Sequence, residues 1–366
     1  MALDRIRLAW FRNHRNTALV GTGAFNLLLG ENGAGKTNIL EAISLFAPGR
    51  GLRRAALPDM AGQGGDGAFA VAADLTQPNA DPLRIGTGTS PDKPGRRILR
   101  VGGADTPAVQ LGEHLSIFWL TPAMDRLFMD SPSARRRFLD RMVLALEPGH
   151  ARASARLERA LTERNRLLGA PSLPDAQWLT AIETQLAEAG AQVAAARART
   201  IEALGETLAC LPDAPPQNLF ARPLLAYASG GPITQAALTQ ALAQSRPRDR
   251  AAGRTLIGPH RDDMLVTMAA KNQPAAECST GEQKAMLIAL TLAHCELAGR
   301  VAQVPRLLLL DEVAAHLDPL RRAALFDRLA ANGAQVWMTG TEPEPFEALD
   351  RPSVWQVVEG GIEERG

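Results

Sequence analysis

Gly30-Glu31-Asn32-Gly33-Ala34-Gly35-Lys36-Thr37 fits the phosphate-binding pattern GxxxxGK[ST] without a mismatch. Gly30, Gly33 and Gly35 let the backbone amides of this loop wrap phosphates, and the N-terminus of the following helix adds partial positive charge. In such a loop Lys36 reaches the β- and γ-phosphates, and the Thr37 hydroxyl coordinates Mg²⁺. Asn38 extends the nucleotide-contacting stretch. Far along the chain, Leu307-Leu308-Leu309-Leu310-Asp311-Glu312 reads as a buried strand that ends in two acids. Asp311 is placed to hold Mg²⁺, and Glu312 to orient and activate an attacking water. The chemistry these residues could do is ATP binding and hydrolysis.

That chemistry needs a strand before the loop and a helix after it. Phe25 to Leu29 is a short apolar run bounded by a turn, and Asn38 to Phe46 carries apolar residues at helical spacing. A third element, Ser279-Thr280-Gly281-Glu282-Gln283, precedes an apolar helix expected over 284–298. Ser279 with Glu282 three residues on has the form of a capping box. A capped helix N-terminus is also an anion site. On the second reading, Ser279 and Gly281 address the γ-phosphate of a nucleotide held by another subunit. His316-Leu317-Asp318-Pro319 stands where a head-to-head contact loop would lie.

The chain has 366 residues and a formal net charge of +1, which predicts two domains and places any nucleic-acid surface in a local patch. Cys210, Cys278 and Cys295 lack metal-ligand or CxxC spacing and suggest a reducing compartment. No apolar run approaches the roughly 20 residues that cross a bilayer, so a cytoplasmic protein without membrane contact is expected.

Leu3 to Trp10 and Asn26 to Leu29 read as strands joined through residues 11–16. Residues 62–109 suit an antiparallel sheet with hairpin turns, including runs at 69–75 and 97–101. Residues 117–122 form a buried strand stopped by Pro122. Residues 151–168 and 175–208 are helical in period, with Trp178, Ile182, Leu186 and Val193 on one face, and residues 169–174 break them into an antiparallel pair. The second helix would reach roughly 50 Å. Beta character returns at Gly258, and 334–339 reads as a last core strand. The expected fold is therefore α/β, with a mixed P-loop sheet and an antiparallel β subdomain in a discontinuous head (1–122 and 250–366). A helical insertion (123–249) interrupts it.

Gly30–Thr37, Ser279–Gln283 and Leu307–Asp318 together resemble the ABC-type ATPase heads of the SMC superfamily. Asp130-Ser131-Pro132-Ser133-Ala134-Arg135-Arg136-Arg137-Phe138-Leu139-Asp140 and Gly258-Pro259-His260-Arg261-Asp262-Asp263 resemble, more narrowly, the RecF family. The resemblance spans essentially the whole chain. It implies a weak DNA-dependent ATPase that uses ATP and Mg²⁺ and forms an ATP-dependent homodimer on DNA. It further implies sequence-independent contact with single- and double-stranded DNA, partners like RecO and RecR, and roles in replication, DNA damage repair and the SOS response. Two departures stand out. Ser-Thr-Gly-Glu replaces the Ser-Gly-Gly-Gln of transporters, and Thr121-Pro122 occupies the place of a Mg²⁺-contacting Gln.

A transporter ATPase has a much shorter span between loop and signature, and a full SMC protein a far longer one. Another SMC-like ATPase or a transporter subunit is the alternative; the intact Lys36, Thr37, Asp311 and Glu312 argue against a vestigial binding module. For DNA contact, Arg135, Arg136, Arg137 and Arg141 crowd one helix, where ion pairs to Asp130 and Asp140 compete with phosphate binding. Arg5, Arg7, Arg12, Arg15, Arg53 and Arg54 form a second basic group, suited to sequence-independent phosphate contact.

Overall fold

The computed structural model describes residues 3–76, 81–172, 175–211, 219–302, 304–314 and 317–364. In chain order the strands are β1 (Leu3–Phe11), β2 (His14–Leu19), β3 (Phe25–Leu29), β4 (Ala70–Leu75), β5 (Leu83–Ser90), β6 (Lys93–Val101), β7 (Ala104–Asp105), β8 (Ser116–Leu120), β9 (Pro223–Ala228), β10 (Asp263–Met268), β11 (Gln273–Pro274), β12 (Arg306–Leu310), β13 (Gln335–Gly340), β14 (Ser353–Val358) and β15 (Gly361–Glu364). The helices are α1 (Lys36–Ser44), α2 (Leu57–Met60), α3 (Pro132–Leu146), α4 (His150–Leu168), α5 (Ala176–Ala209), α6 (Gln235–Ala251), α7 (Thr280–Val301) and α8 (Pro319–Asn332). Two compact units result: residues 1–124 with 291–366, and residues 125–290.

The first unit holds two six-stranded sheets, ordered β2-β1-β4-β5-β6-β7 and β15-β14-β3-β13-β12-β8. In the second of these, β14, β3, β13, β12 and β8 run parallel. Every residue of β3, β8 and β13 is buried, which explains their unbroken apolar runs: a parallel sheet is covered on both faces. β1 instead alternates buried and exposed, because its sheet has one face toward the core. One core joins α1 to both sheets through Ile39, Leu40, Ile43 and Phe46, with Ile6 and Leu8 on one side and Leu28 and Trp337 on the other. Trp337 stacks on Trp355, ring centroids 5.6 Å apart. Such burial contributes on the order of 1.5–3 kcal/mol per large side chain.

The expected boundaries of the insertion differ from this division. Residues 250–290 group with the helices because β10 pairs antiparallel with β9, and β9 lies inside the segment read as wholly helical. Its Pro223 start and short alternating pattern were hidden between longer helical runs. β2 and β5 were also absent from the expectation; β2 occupies residues read as a connection. The helix expected over 284–298 begins earlier and ends later, as α7.

In the second unit, α4 and α5 form the expected antiparallel pair. Asp175 caps α5 by accepting from the Gln177 and Trp178 amides (2.7 and 3.1 Å). Leu186 and Val193 face the core, but Trp178 is 50% exposed, with the Arg166 guanidinium over its ring at 5.6 Å. Behind this pair lies a charged cluster sealed from water. Arg164, fully buried, meets Glu183 (3.0 Å) and Asp249 (2.7 Å), and donates to the Leu242 carbonyl and the Thr255 hydroxyl. Arg246 covers the other side of Glu183. Removing the central cation would leave two carboxylates facing each other in low dielectric, so Arg164→Ala is expected to cost about 3–5 kcal/mol. Urea denaturation measures it; a loss below about 1 kcal/mol, the level of a surface pair, would mean that water reaches the cluster.

Candidate functional site

The nucleotide half-sites meet at the carboxyl ends of three adjacent parallel strands. β3 feeds the glycine-rich loop, β12 ends at Asp311, and β13 ends with Thr339 and Gly340. Ligands of open α/β sheets bind at this end. The Thr37 hydroxyl donates to Asp311 Oδ1 at 2.9 Å, across 274 residues of sequence. Thr339 Oγ1 donates to the same oxygen at 2.9 Å and accepts the Glu312 amide at 2.8 Å. Thr339 thus ties both acids to β13. Nothing but its place at the end of an apolar core run could have singled it out in the sequence.

The loop is built for close backbone approach. Gly30 has φ +153°, and a Cβ there would lie 2.3 Å from the Val357 carbonyl oxygen. Gly35 has φ +115°, with Asn13 and His14 side chains 2.7 Å from where its Cβ would be. Glu31, Asn32 and Gly33 are exposed, Ala34 is half-buried and Lys36 is buried. Lys36 Nζ donates to the Gly30 and Glu31 carbonyls at 2.6 and 2.9 Å, so its ammonium sits inside the curl of the loop. Burial lowers the Lys36 pKa, opposed by the charges of Glu312 and Asp311. Burial likewise raises the Asp311 carboxyl, and hydrogen bonds from Thr339 and Thr37 pull it back.

His14, without an evident role in the sequence, braces this loop. Its buried ring bonds Thr17 Oγ1 (3.0 Å) and the Gly35 carbonyl (3.1 Å), and burial lowers its pKa toward a neutral imidazole. Asn13 donates to the Ala34 carbonyl and accepts from Asn38. A cleft of about 950 Å³ opens beside the loop, lined by Asn13, Asn38, Gln63, Glu359 and Gly360 among others. It is large enough for a nucleoside. For a metal, the donor set is a hydroxyl and a carboxylate, hard oxygens that suit Mg²⁺. Among the described residues no group of three or more His, Cys, Asp or Glu could cage an ion, which fits a cation shared with substrate phosphates. Glu312, next to this pair, has left-handed backbone (φ +54°), a strained setting common at functional sites.

In the second unit, the capping box at α7 is formed. The Ser279 amide and hydroxyl both donate to Glu282 Oε2 at 2.9 Å, and the Glu282 amide donates back to Ser279 Oγ at 3.4 Å. Lys271 and Ser279 hold the Glu282 carboxyl down to about 2. Ser279, Thr280 and Gly281 are exposed, so the cap leaves this helix end open to a ligand. Asp318 caps α8 through the Arg321 amide (3.0 Å); His316 lies outside the described residues.

The arginine helix α3 is largely committed to structure. Arg135 forms a two-pronged pair with Asp263 (2.8 and 2.6 Å), and Arg136 donates to the Asp262 carbonyl (2.8 Å). The expected partners were Asp130 and Asp140; Asp130 offers only its carbonyl, and Asp140 instead receives Arg197 and His150. Arg197 also reaches Asp262 (2.8 Å), where the Tyr227 hydroxyl and Gly230 amide converge. Burial works against the Arg197 charge, yet Asp140 and Asp262 hold it on. The two sequence strings around 130–140 and 258–263 are therefore one ionic network. His260 belongs with them, bonded to the Thr255 carbonyl. In the first unit Arg12 and Arg53 are likewise spent on the fully buried Glu41, at 2.8 and 3.0 Å.

Thr339→Val should weaken Mg²⁺-ATP binding roughly tenfold, the loss of one to two hydrogen bonds of about 1 kcal/mol each. It also removes a donor that favours ionised Asp311, so the carboxyl would keep its proton to still higher pH. The deficit should therefore widen as pH falls, read by nucleotide titration at several pH values. A deficit that is constant across pH would show that Asp311 does not need this donor.

The family model described as the RecF/RecN/SMC N terminal domain matches residues 2–364. The DNA replication and repair protein RecF of Mesorhizobium japonicum is 45% identical over 367 residues, covering 98% of this chain and 96% of that protein. That of Brucella suis is 46% identical over 358 residues, covering 95% and 92%. Among solved structures, the recombination mediator protein RecF with ATP in the RecFOR pathway superposes with TM-score 0.88 at 22% identity, covering 100% of this chain and 98% of that one. The Pyrococcus furiosus Smc head domain bound to the C-terminal domain of ScpA gives 0.54 at 16%, covering 99% and 95%. These two likenesses show a shared head fold. The matched family model and the near-full-length identity carry the conclusion: the chain belongs to the RecF family of DNA replication and repair proteins.

Proposed function

We propose that this protein is an ATP-dependent DNA-binding mediator of recombinational repair, in which ATP closes two heads on DNA and slow hydrolysis releases them. The observation that carries the reading is the convergence of Thr37, Asp311 and Thr339 at the loop of Lys36, each contact at 2.9 Å. Bound Mg²⁺ would neutralise charge on the β- and γ-phosphates. Lys36 binds those phosphates, and the amides of residues 30–35 with Asn38 hold the nucleotide's position. Thr37 and Asp311 are the residues that would hold the metal. Glu312 orients the attacking water and accepts its proton. Ser279 and Gly281, at the open end of α7, address the γ-phosphate bound by a second copy, which makes the active form a homodimer.

The relatives' printed names, replication and repair and the RecFOR pathway, support a cytoplasmic role with RecO- and RecR-like partners in loading recombinase at single-strand gaps. Contact with single- and double-stranded DNA is sequence-independent, and DNA raises a low ATPase rate. The domain reading that goes with this function is an ATPase head built from both ends of the chain, carrying an arm of helices between them.

Two variants test the model. Glu312→Gln should bind ATP normally while turnover falls at least about 100-fold, leaving an ATP-bound dimer in sedimentation. Unchanged turnover would assign the water to another residue. Ser279→Arg should lose ATP-driven dimerisation but keep nucleotide binding by the monomer. Ser279→Ala is the companion, because it removes only the helix cap, worth about 1 kcal/mol, and should still dimerise. Dimerisation by the arginine variant would reduce Ser279 to a cap and end the two-head model.

A further inference from the structure

The antiparallel sheet of the first unit has an outer face whose chemistry the nucleotide site does not use. Its register sets Arg5 and Arg7 of β1 opposite Asp74 and Ala72 of β4. Those lie opposite Arg84 and Gly86 of β5, and Gly86 lies opposite Arg100 of β6. Residues directly opposed in an antiparallel ladder share a face. The other face carries Ile6, Leu8, Val71, Ala73, Ile85 and Leu99, all buried. β6 sorts its own arginines in the same way. Arg97 turns inward to the Thr87 hydroxyl (2.9 Å) and the Gly49 carbonyl (3.0 Å), so Arg96 and Arg100 stand outward.

Between these cations the face is paved with small residues. Ala9, Ala18 and Ala70 are exposed, and Ala72 and Gly86 are half-buried. No long side chain rises from these positions, so a large flat ligand can come down almost onto the backbone. Five arginines here stand against Asp74 and Asp105, in a chain whose net charge is only +1. Arg84 and Arg100 are paired at 3.1 Å with those two acids, in exposed pairs that a stronger anion can displace. Arg7 and Arg96 have no ion-pair partner among the described residues.

Three strand spacings separate β1 from β6, about 14 Å. Two cation rows at that distance match phosphates on either wall of a DNA major groove, about 12 Å wide. An acidic protein segment would require no such spacing. We infer that this Arg-flanked, Gly/Ala-paved sheet face holds duplex DNA by its phosphates, without reading bases. The inference rests on the DNA-binding function proposed above, and it assigns the contact to the sheet rather than to α3. The arginines at 135 and 136 are already committed to Asp263 and Asp262.

The test is Arg7→Gln combined with Arg96→Gln in the full chain, with ATP, titrating a mixed-sequence fluorescent duplex from 50 to 200 mM salt as a chosen range. Two lost phosphate contacts should flatten the slope of log K against log[salt] by about 1.8 and weaken binding on the order of tenfold. ATP-driven dimerisation in sedimentation should be unchanged, and Arg137→Gln on α3 should keep the parent slope. A parent-like slope in the double variant would overturn the assignment. So would weakened binding accompanied by loss of the dimer, since the defect would then lie in head closure. If the parent protein with ATP fails to bind duplex, the proposed function itself falls, and this face with it.

Discussion

One oxygen atom organises the ATPase half of this protein. Asp311 Oδ1 accepts from Thr37 and from Thr339, and those residues come from opposite ends of the chain. The contact exists only because β3, β13 and β12 lie side by side and parallel, in a register that brings their carboxyl ends level. A one-residue slip would turn Thr339 to the opposite face of the sheet. The long apolar runs of these strands, the burial of α1 between two sheets and the Trp337–Trp355 stack all secure that register. The carboxylate is held in partial desolvation, with two hydroxyl donors to offset the cost. That is a suitable resting state for a group that must give its charge to a hard cation.

Buried charge plays the corresponding part elsewhere in each unit. Glu41 under Arg12 and Arg53, Arg164 between Glu183 and Asp249, and Arg197 between Asp140 and Asp262 are each nearly closed to water on at least one side. Such clusters add little net stability compared with apolar packing, but leaving one partner alone is costly. They therefore specify which segments must meet. This accounts for the arginine-rich strings that look in sequence like nucleic-acid surfaces. Most of their cations are internal fasteners, and the outward ones are Arg7, Arg96 and their strand neighbours.

The loop at 30–37, the acids at 311–312 and the capping pair at 279 and 282 were legible in the sequence because their chemistry is local: a turn that only glycine tolerates, a strand that ends in carboxylates, a hydroxyl three residues before a carboxylate. The helical pair α4–α5 was legible for the same reason, through its period. β2, β5 and β9 were not, since short strands at the edges of longer patterns carry too few residues to show alternation. Trp178 followed the helical period yet faces solvent over Arg166, because the aliphatic positions Leu186 and Val193 fill that face of α5.

The sequence by itself determined that this chain binds a nucleotide through a P-loop and two distant acids, and its strings placed it beside the RecF family. Tertiary structure alone decided that Thr339 and His14 belong to that site, that residues 250–290 fold with the helices, and which arginines are spent inside. The physical reason is the range of the interactions. Turns, caps and periodicity are set by neighbours in the chain, whereas strand register and buried ion pairs join residues hundreds of positions apart, and no local pattern encodes which partner each one meets.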